Sequence, residues 1–188
     1  MTLATTYPQI LSKELTSALS FIEGNKDLCV IRYEKGRGGG NTEFAIRLAL
    51  AYKMIDAAHT PGVIICGYDQ DMSTRLAISA QERVNRICGS PRTVRIATPH
   101  DVSWRSLSMD CLIIDNTENL NHYQFAALFS RLRDGHHKAL VFTGTAGHLM
   151  PLITDAAYSS GLNSLPLLNI NAGGHYTSNM RKGKDVTP

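Results

Sequence analysis

Long apolar runs are missing from this chain: in 188 residues no stretch approaches the roughly 20 consecutive apolar residues that a membrane-spanning helix needs. The first residues, "MTLATTYPQILSK", lack the basic-then-apolar layout of a secretory signal. A cytoplasmic setting with no membrane partner is therefore expected. Cysteine is scarce. Cys29, Cys66, Cys88 and Cys111 include no C-x-x-C pair, which removes the common zinc and thiol-redox motifs and leaves small buried hydrophobes as the reading. Histidine pairs with ligand spacing are also lacking, since His136 and His137 stand side by side at a turn. The single tryptophan, Trp104, reads as a packing residue rather than a base-stacking one. No Ser-His-Asp or Cys-His order can be argued. Neither sign of charge dominates the whole, at a net +3.

That charge is unevenly placed. Between Met72 and Arg105 six arginines (75, 83, 86, 92, 95 and 105) face only Glu82 and Asp101, a local balance of +4. Arg75, Arg83 and Arg86 share one arc of an expected helix and are candidates for contact with DNA. A solvated arginine face has the same pattern.

Apolar runs alternate with amphipathic segments. Strands are expected at 28–33, 63–68, 93–97, 111–116, 139–144 and 165–170, and helices at about 9–23, 42–58, 72–88, 120–134 and 148–158. The strands are short, aliphatic and barely alternate, as they do when helices cover both faces. The expected fold is a three-layer α/β domain with a mainly parallel sheet over 1–170. Residues 171–188 are polar and aperiodic and read as a loose tail.

The first core strand, "LCVIRY", runs into "EKGRGGGNT" and then a helix. Ligands of such sheets sit beyond the carboxyl ends of the strands, and a helix N-terminus stabilises a phosphate without any side chain. Lys35, Gly36, Gly38, Gly39, Gly40, Asn41 and Thr42 are the candidate nucleotide-binding residues. Thr42 stands where a phosphate-loop hydroxyl binds magnesium. The pattern G-x-x-x-x-G-K-[ST] fails at Lys35 and at Asn41, so a plain turn competes with a site that has lost its main charge. "DCLIIDNTENL" supplies Asp115 at a strand end, placed to hold the water shell of the metal. Asn116 stands where an acid that orients water would follow, and Glu118 is two residues further on. "VFTGTAG" brings Thr143, Gly144 and Thr145 to a third strand end as a coupling segment.

In that order these segments resemble the ATPase half of phage terminase large subunits, the motors that pump DNA into capsids. The likeness covers about 28–147 and runs through "KGRGGGNTEFAIRLALAY", "PGVIICGYDQDMSTRLAISAQERVNRI", "CLIIDNTENL" and "FTGTAG". It implies a P-loop NTPase-like fold, ATP and Mg2+ as cofactors, Thr42 and Asp115 at the metal, and Arg37 on the γ-phosphate. It also implies that Asn41 replaces the loop lysine and Asn116 the catalytic glutamate, while the nuclease domain of terminases is missing. "IATPHDV" followed by "IIDNTE" is similar to the first lobe of DEAD-type helicases, where Thr-Pro touches the nucleic-acid backbone.

Three readings stay open: a terminase-like nucleotide-binding protein with impaired hydrolysis, a catalytically inactive scaffold for a capsid or regulatory partner, and a helicase-like lobe. Lys35 or Arg37 could restore part of the lost charge. The strand that carries Asp115 is expected beside the strand that feeds the glycine loop, with Thr42 and Asp115 close enough to share one hydrated metal. An oligomer is compatible with each reading.

Overall fold

The computed structural model describes residues 12–25, 27–36, 38–55, 61–89, 94–101, 110–132, 139–159 and 161–181. Seven strands form one sheet: β1 (Cys29–Glu34), β2 (Gly62–Ile65), β3 (Arg95–Ala97), β4 (Cys111–Asp115), β5 (Ala139–Thr143), β6 (Ser164–Asn171) and β7 (Gly174–Arg181). Five helices accompany them: α1 (Lys13–Gly24), α2 (Asn41–Ile55), α3 (Gln70–Cys88), α4 (His122–Phe129) and α5 (Met150–Ser159). The order across the sheet is β3-β2-β4-β5-β1-β6-β7. Only the β6–β7 pair is antiparallel.

The central strands are buried on both faces because both pleats carry aliphatics. β4 and β5, "CLIID" and "ALVFT", have no exposed residue. Alternate residues feed two cores. Ile31, Val63, Ile113 and Val141 pack with α1 and α2 on one face. Val30, Ile64, Leu112, Leu140 and Phe142 pack with α4 and α5 on the other. The helix starts follow local chemistry. Asp69 caps α3 through Met72 N–H, and Asn121 with Gln124 forms a reciprocal capping box on α4.

Two expectations need correction. The tail expected from residue 171 is ordered as far as Arg181: β7 pairs with β6 from Ser164↔Arg181 to Asn171↔Gly174. The polar residues of β7 do not argue against a strand, because 174–179 are exposed and water takes the place of a core. The anchor is Met180, 6% exposed among the core residues. Nor does the Asp115 strand lie beside the loop strand, since β5 stands between β4 and β1. Crossing order is a tertiary property, and the alternation of strand and helix does not encode it. The insertion has a chemical result, because it places Thr143 of β5 directly against Asp115.

Candidate functional site

All the strands that border the site end on the same side of the sheet, and their ends are tied together. Gly144 N–H donates to Tyr33 O at 3.1 Å, joining β5 to β1. Cys66 N–H donates to Asp115 O at 3.0 Å, joining β2 to β4. The Thr117 hydroxyl, wholly buried, reaches Thr143 O at 2.9 Å and locks the turn after β4 to the end of β5.

The glycine loop lies over these ends. Gly39 N–H donates to Gly36 O at 2.8 Å, and Gly38 and Gly40 take φ of 79° and 82°, the left-handed region that glycine enters without steric cost. A Cβ on Gly39 would lie 2.5 Å from Lys35 Cβ and 2.8 Å from Gly36 O, so this position excludes a side chain. Helix α2 then begins at Asn41, with Phe44 N–H on Gly40 O at 2.8 Å. The N–H groups of Asn41, Thr42 and Glu43 occupy its first turn and have no carbonyl one turn back within the helix.

Beneath the loop, Thr42 Oγ1 donates to Asp115 Oδ2 at 2.6 Å, and Thr143 Oγ1 donates to Asp115 Oδ1. Asp115 is wholly buried, and burial pushes its carboxyl above the usual carboxylate range against the opposing pull of the Thr143 and Thr42 hydroxyls. A hydroxyl has one proton to give and two lone pairs. With its proton on Asp115, Thr42 presents only acceptor capacity elsewhere.

Above them opens a cleft of about 740 Å³, lined by Lys35, Gly36, Gly38, Gly40, Asn41, Thr42, Asn116, Glu118, Gly144 and Thr145 among the expected residues. That volume suits a small-molecule ligand. The structure thus brings three distant segments to one place. Gly39 is exposed and does not line the cleft. Arg37 lies outside the described residues, as do Trp104, His136, His137, Arg92 and Arg105.

Several residues differ in detail from the expectation. Asn41 closes the loop, its Nδ2 donating to Lys35 O at 3.2 Å, while its buried Oδ1 has no hydrogen-bond partner among the described residues. Lys35 lines the cleft, and its ammonium is paired with Glu14 of α1 at 2.8 Å. The same contact holds the Glu14 carboxyl down at about 2 and raises Lys35 above its ordinary value.

Asn116 sits at φ 55°, ψ 52°, a left-handed conformation that asparagine tolerates and glutamate resists by about 1 kcal/mol or more. This reversal starts the turn Thr117–Asn119 and carries Glu118 to the cleft wall, with its carboxylate against Gly144. A Cβ on Gly144 would collide with Glu118 Oε2, and the φ of 83° at that glycine is equally unsuited to a side chain.

The three arginines separate. Arg83 lines the cleft and pairs with Glu43 at 2.9 Å, whereas Arg75 and Arg86 are exposed on α3 away from it. Thr98 is nearly buried, and its hydroxyl accepts from His100 N–H at 3.3 Å, closing its own turn. Sequence reasoning missed Glu43, Gly67, Tyr68, Met72 and Leu76, which also line the cleft. Met72, Leu76 and Arg83 fall at helical spacing on α3 and meet at the cleft, although the sequence pattern groups Arg83 with Arg75 and Arg86.

Fold and geometry together define a three-layer α/β protein, its mostly parallel sheet consistent with a P-loop NTPase-like fold, with a glycine turn from strand to helix over a hydroxyl–carboxylate pair. No family model matches the sequence, and no curated protein matches it. Among solved structures it is similar to the large terminase from a thermophilic bacteriophage, with a TM-score of 0.53 and 14% identity. The match covers 85% of this chain and 45% of that one, so the chain spans less than half of that terminase. At this identity the likeness is one of fold. Among the described residues no helix is long and apolar enough to cross a membrane, and no cluster of three or more His, Cys, Asp or Glu could hold a metal by itself.

Proposed function

We propose that the chain is a magnesium-dependent nucleotide-binding protein of the terminase motor type, concerned with viral DNA packaging and impaired in hydrolysis. The observation that carries this reading is the Thr42 hydroxyl on Asp115 at 2.6 Å beneath a glycine turn that leaves no room for a side chain at Gly39. The donor set fits the cofactor: a hard cation prefers oxygen, and Thr42 and Asp115 are the residues to hold it. Magnesium, when bound, would neutralise charge on the phosphate oxygens. Gly36, Gly38 and Gly40 cradle the phosphates through the backbone, with Gly39 N–H closing the turn on Gly36 O, and the first turn of α2 adds its partial positive charge. Glu118 is the carboxylate placed to orient water. Thr143, Gly144 and Thr145 couple the cleft to the neighbouring strand through Thr117 and Asp115. Arg75 and Arg86 are the residues proposed to meet DNA phosphates, in company with packaging or capsid proteins or further copies of the chain.

Impaired hydrolysis follows from two substitutions. Without a lysine at Asn41 the cradle lacks a full positive charge, and with asparagine at position 116 the acid must act from Glu118. Each such change costs on the order of a hundredfold in rate. Asn41→Lys is expected to tighten nucleotide binding about tenfold with little added turnover. Glu118→Gln is expected to abolish the residual turnover while leaving affinity unchanged. Single-turnover hydrolysis and binding measured side by side separate the two.

A second reading, an inactive scaffold that binds a protein partner, is favoured by one observation, the capture of Lys35 by Glu14. If Asn41→Lys brings no affinity, the glycine loop is only a turn and this second reading stands.

A further inference from the structure

Arg83 reaches the cleft from α3 and is held against the first turn of α2, where Glu43 directly follows Thr42. Glu43 is shared: its Oε1 accepts from Arg47 Nε at 2.7 Å and its Oε2 from Arg83 Nη2 at 2.9 Å. Arg47 therefore still neutralises Glu43 if Arg83 leaves. The pair is half exposed, with side-chain exposures of 49% for Arg83 and 37% for Glu43, so the guanidinium can exchange one oxyanion for another without crossing a buried barrier. Of the other described residues at the loop, Lys35 is paired with Glu14 of α1 and Asn41 carries no charge. Met72 and Leu76 lie on the same stripe of α3 and form an apolar wall beside Arg83.

We propose that Arg83 supplies the phosphate-binding charge that the loop lacks, moving from Glu43 onto the terminal phosphate of a bound nucleoside triphosphate. This rests on the nucleotide-binding reading given above and names the residue that gives the site its preference for a triphosphate. A guanidinium suits the task because its planar fork meets two phosphate oxygens at once. Glu43 is then a competitor that keeps Arg83 off the cleft when no anion is present, and nucleotide binding breaks the Glu43–Arg83 bridge between α2 and α3.

The test is a double-mutant cycle on the full chain, with affinities for Mg-ATP and Mg-ADP measured by calorimetry. Thermal unfolding accompanies each variant to confirm that it folds. Arg83→Ala is expected to weaken ATP about tenfold to a hundredfold and ADP by no more than about threefold. Arg83→Lys is expected to recover only part of the loss. Glu43→Gln is expected to tighten ATP in the parent background by about tenfold but much less in the Arg83→Ala background, because the gain comes from releasing Arg83. A purely structural bridge would move ATP and ADP alike. Equal ATP affinity in Arg83→Ala and the parent overturns the role of Arg83 and leaves the nucleotide-binding reading intact. A parent that binds neither nucleotide overturns both.

Discussion

At the residue scale the site turns on one buried carboxylate and the two hydroxyls that serve it. At zero exposure Asp115 accepts hydrogen bonds from the Thr42 and Thr143 hydroxyls, which lie 101 residues apart in the chain. These bonds do not recover the full cost of burial, and the carboxyl remains shifted upward. The sign of the pH dependence follows. A carboxyl whose folded pKa is raised binds its proton more tightly in the folded state, so ionisation costs stability as pH rises through that folded value. Asp115→Asn is therefore expected to raise the melting temperature above the parent at neutral pH, with the gap closing as the medium is made acid. The same variant should lose the magnesium dependence of any nucleotide binding. Thermal unfolding as a function of pH checks the first part. A lower melting temperature for the variant at every pH would show that the carboxylate is net stabilising. Asn116 teaches a related lesson. That an asparagine follows Asp115 is plain in the sequence, but its left-handed backbone, which turns Glu118 into the cleft, is not.

At the element scale the legible parts were those with a strong local signal. The glycine loop, the strand "CLIID" and the long helix α3 carry their own caps, periodicity or composition, and each lies within a few residues of where the pattern places it. Short elements were less legible. β3 has three residues and leans on β2 and on Gln81, whose side chain accepts from Ile96 N–H at 3.3 Å. β7 had no signal at all, because six consecutive exposed residues give no alternation to read. Its attachment predicts a measurable cost. Met180 packs in the core, with Thr154 of α5 against its sulfur at 3.9 Å, so Met180→Ala should destabilise the chain by about 2 to 4 kcal/mol in chemical denaturation. A change below about 0.5 kcal/mol would mean that the hairpin is not part of the folded core. The charge pattern shows the opposite case. Three arginines share one arc in the sequence, yet α3 directs Arg83 to the cleft and leaves Arg75 and Arg86 on the outside.

At the scale of the whole molecule the order β3-β2-β4-β5-β1-β6-β7 assembles the site. Strand β5 enters between β1 and β4, so the loop, the buried carboxylate and the Thr143–Thr145 segment converge although no two of them adjoin in sequence. The fold class was readable because short aliphatic strands alternate with amphipathic helices. The crossing order was not, because it depends on which packed faces meet after the helices have formed. The same order explains why charges were hard to assign from sequence. Lys35, next to the glycine loop, is claimed by Glu14 from α1, while Arg83, more than 40 residues on, borders the loop.

In the proposed function this cleft binds a nucleoside triphosphate with magnesium through backbone groups, Thr42 and Asp115. Calorimetric titration of the chain with ATP, with magnesium and then with a chelator in its place, tests it most directly. Weak binding is expected, with a dissociation constant on the order of 0.1 to 1 mM, that depends on magnesium and vanishes in Thr42→Val. Absence of binding under both conditions, or binding that Thr42→Val and the chelator leave unchanged, would contradict it.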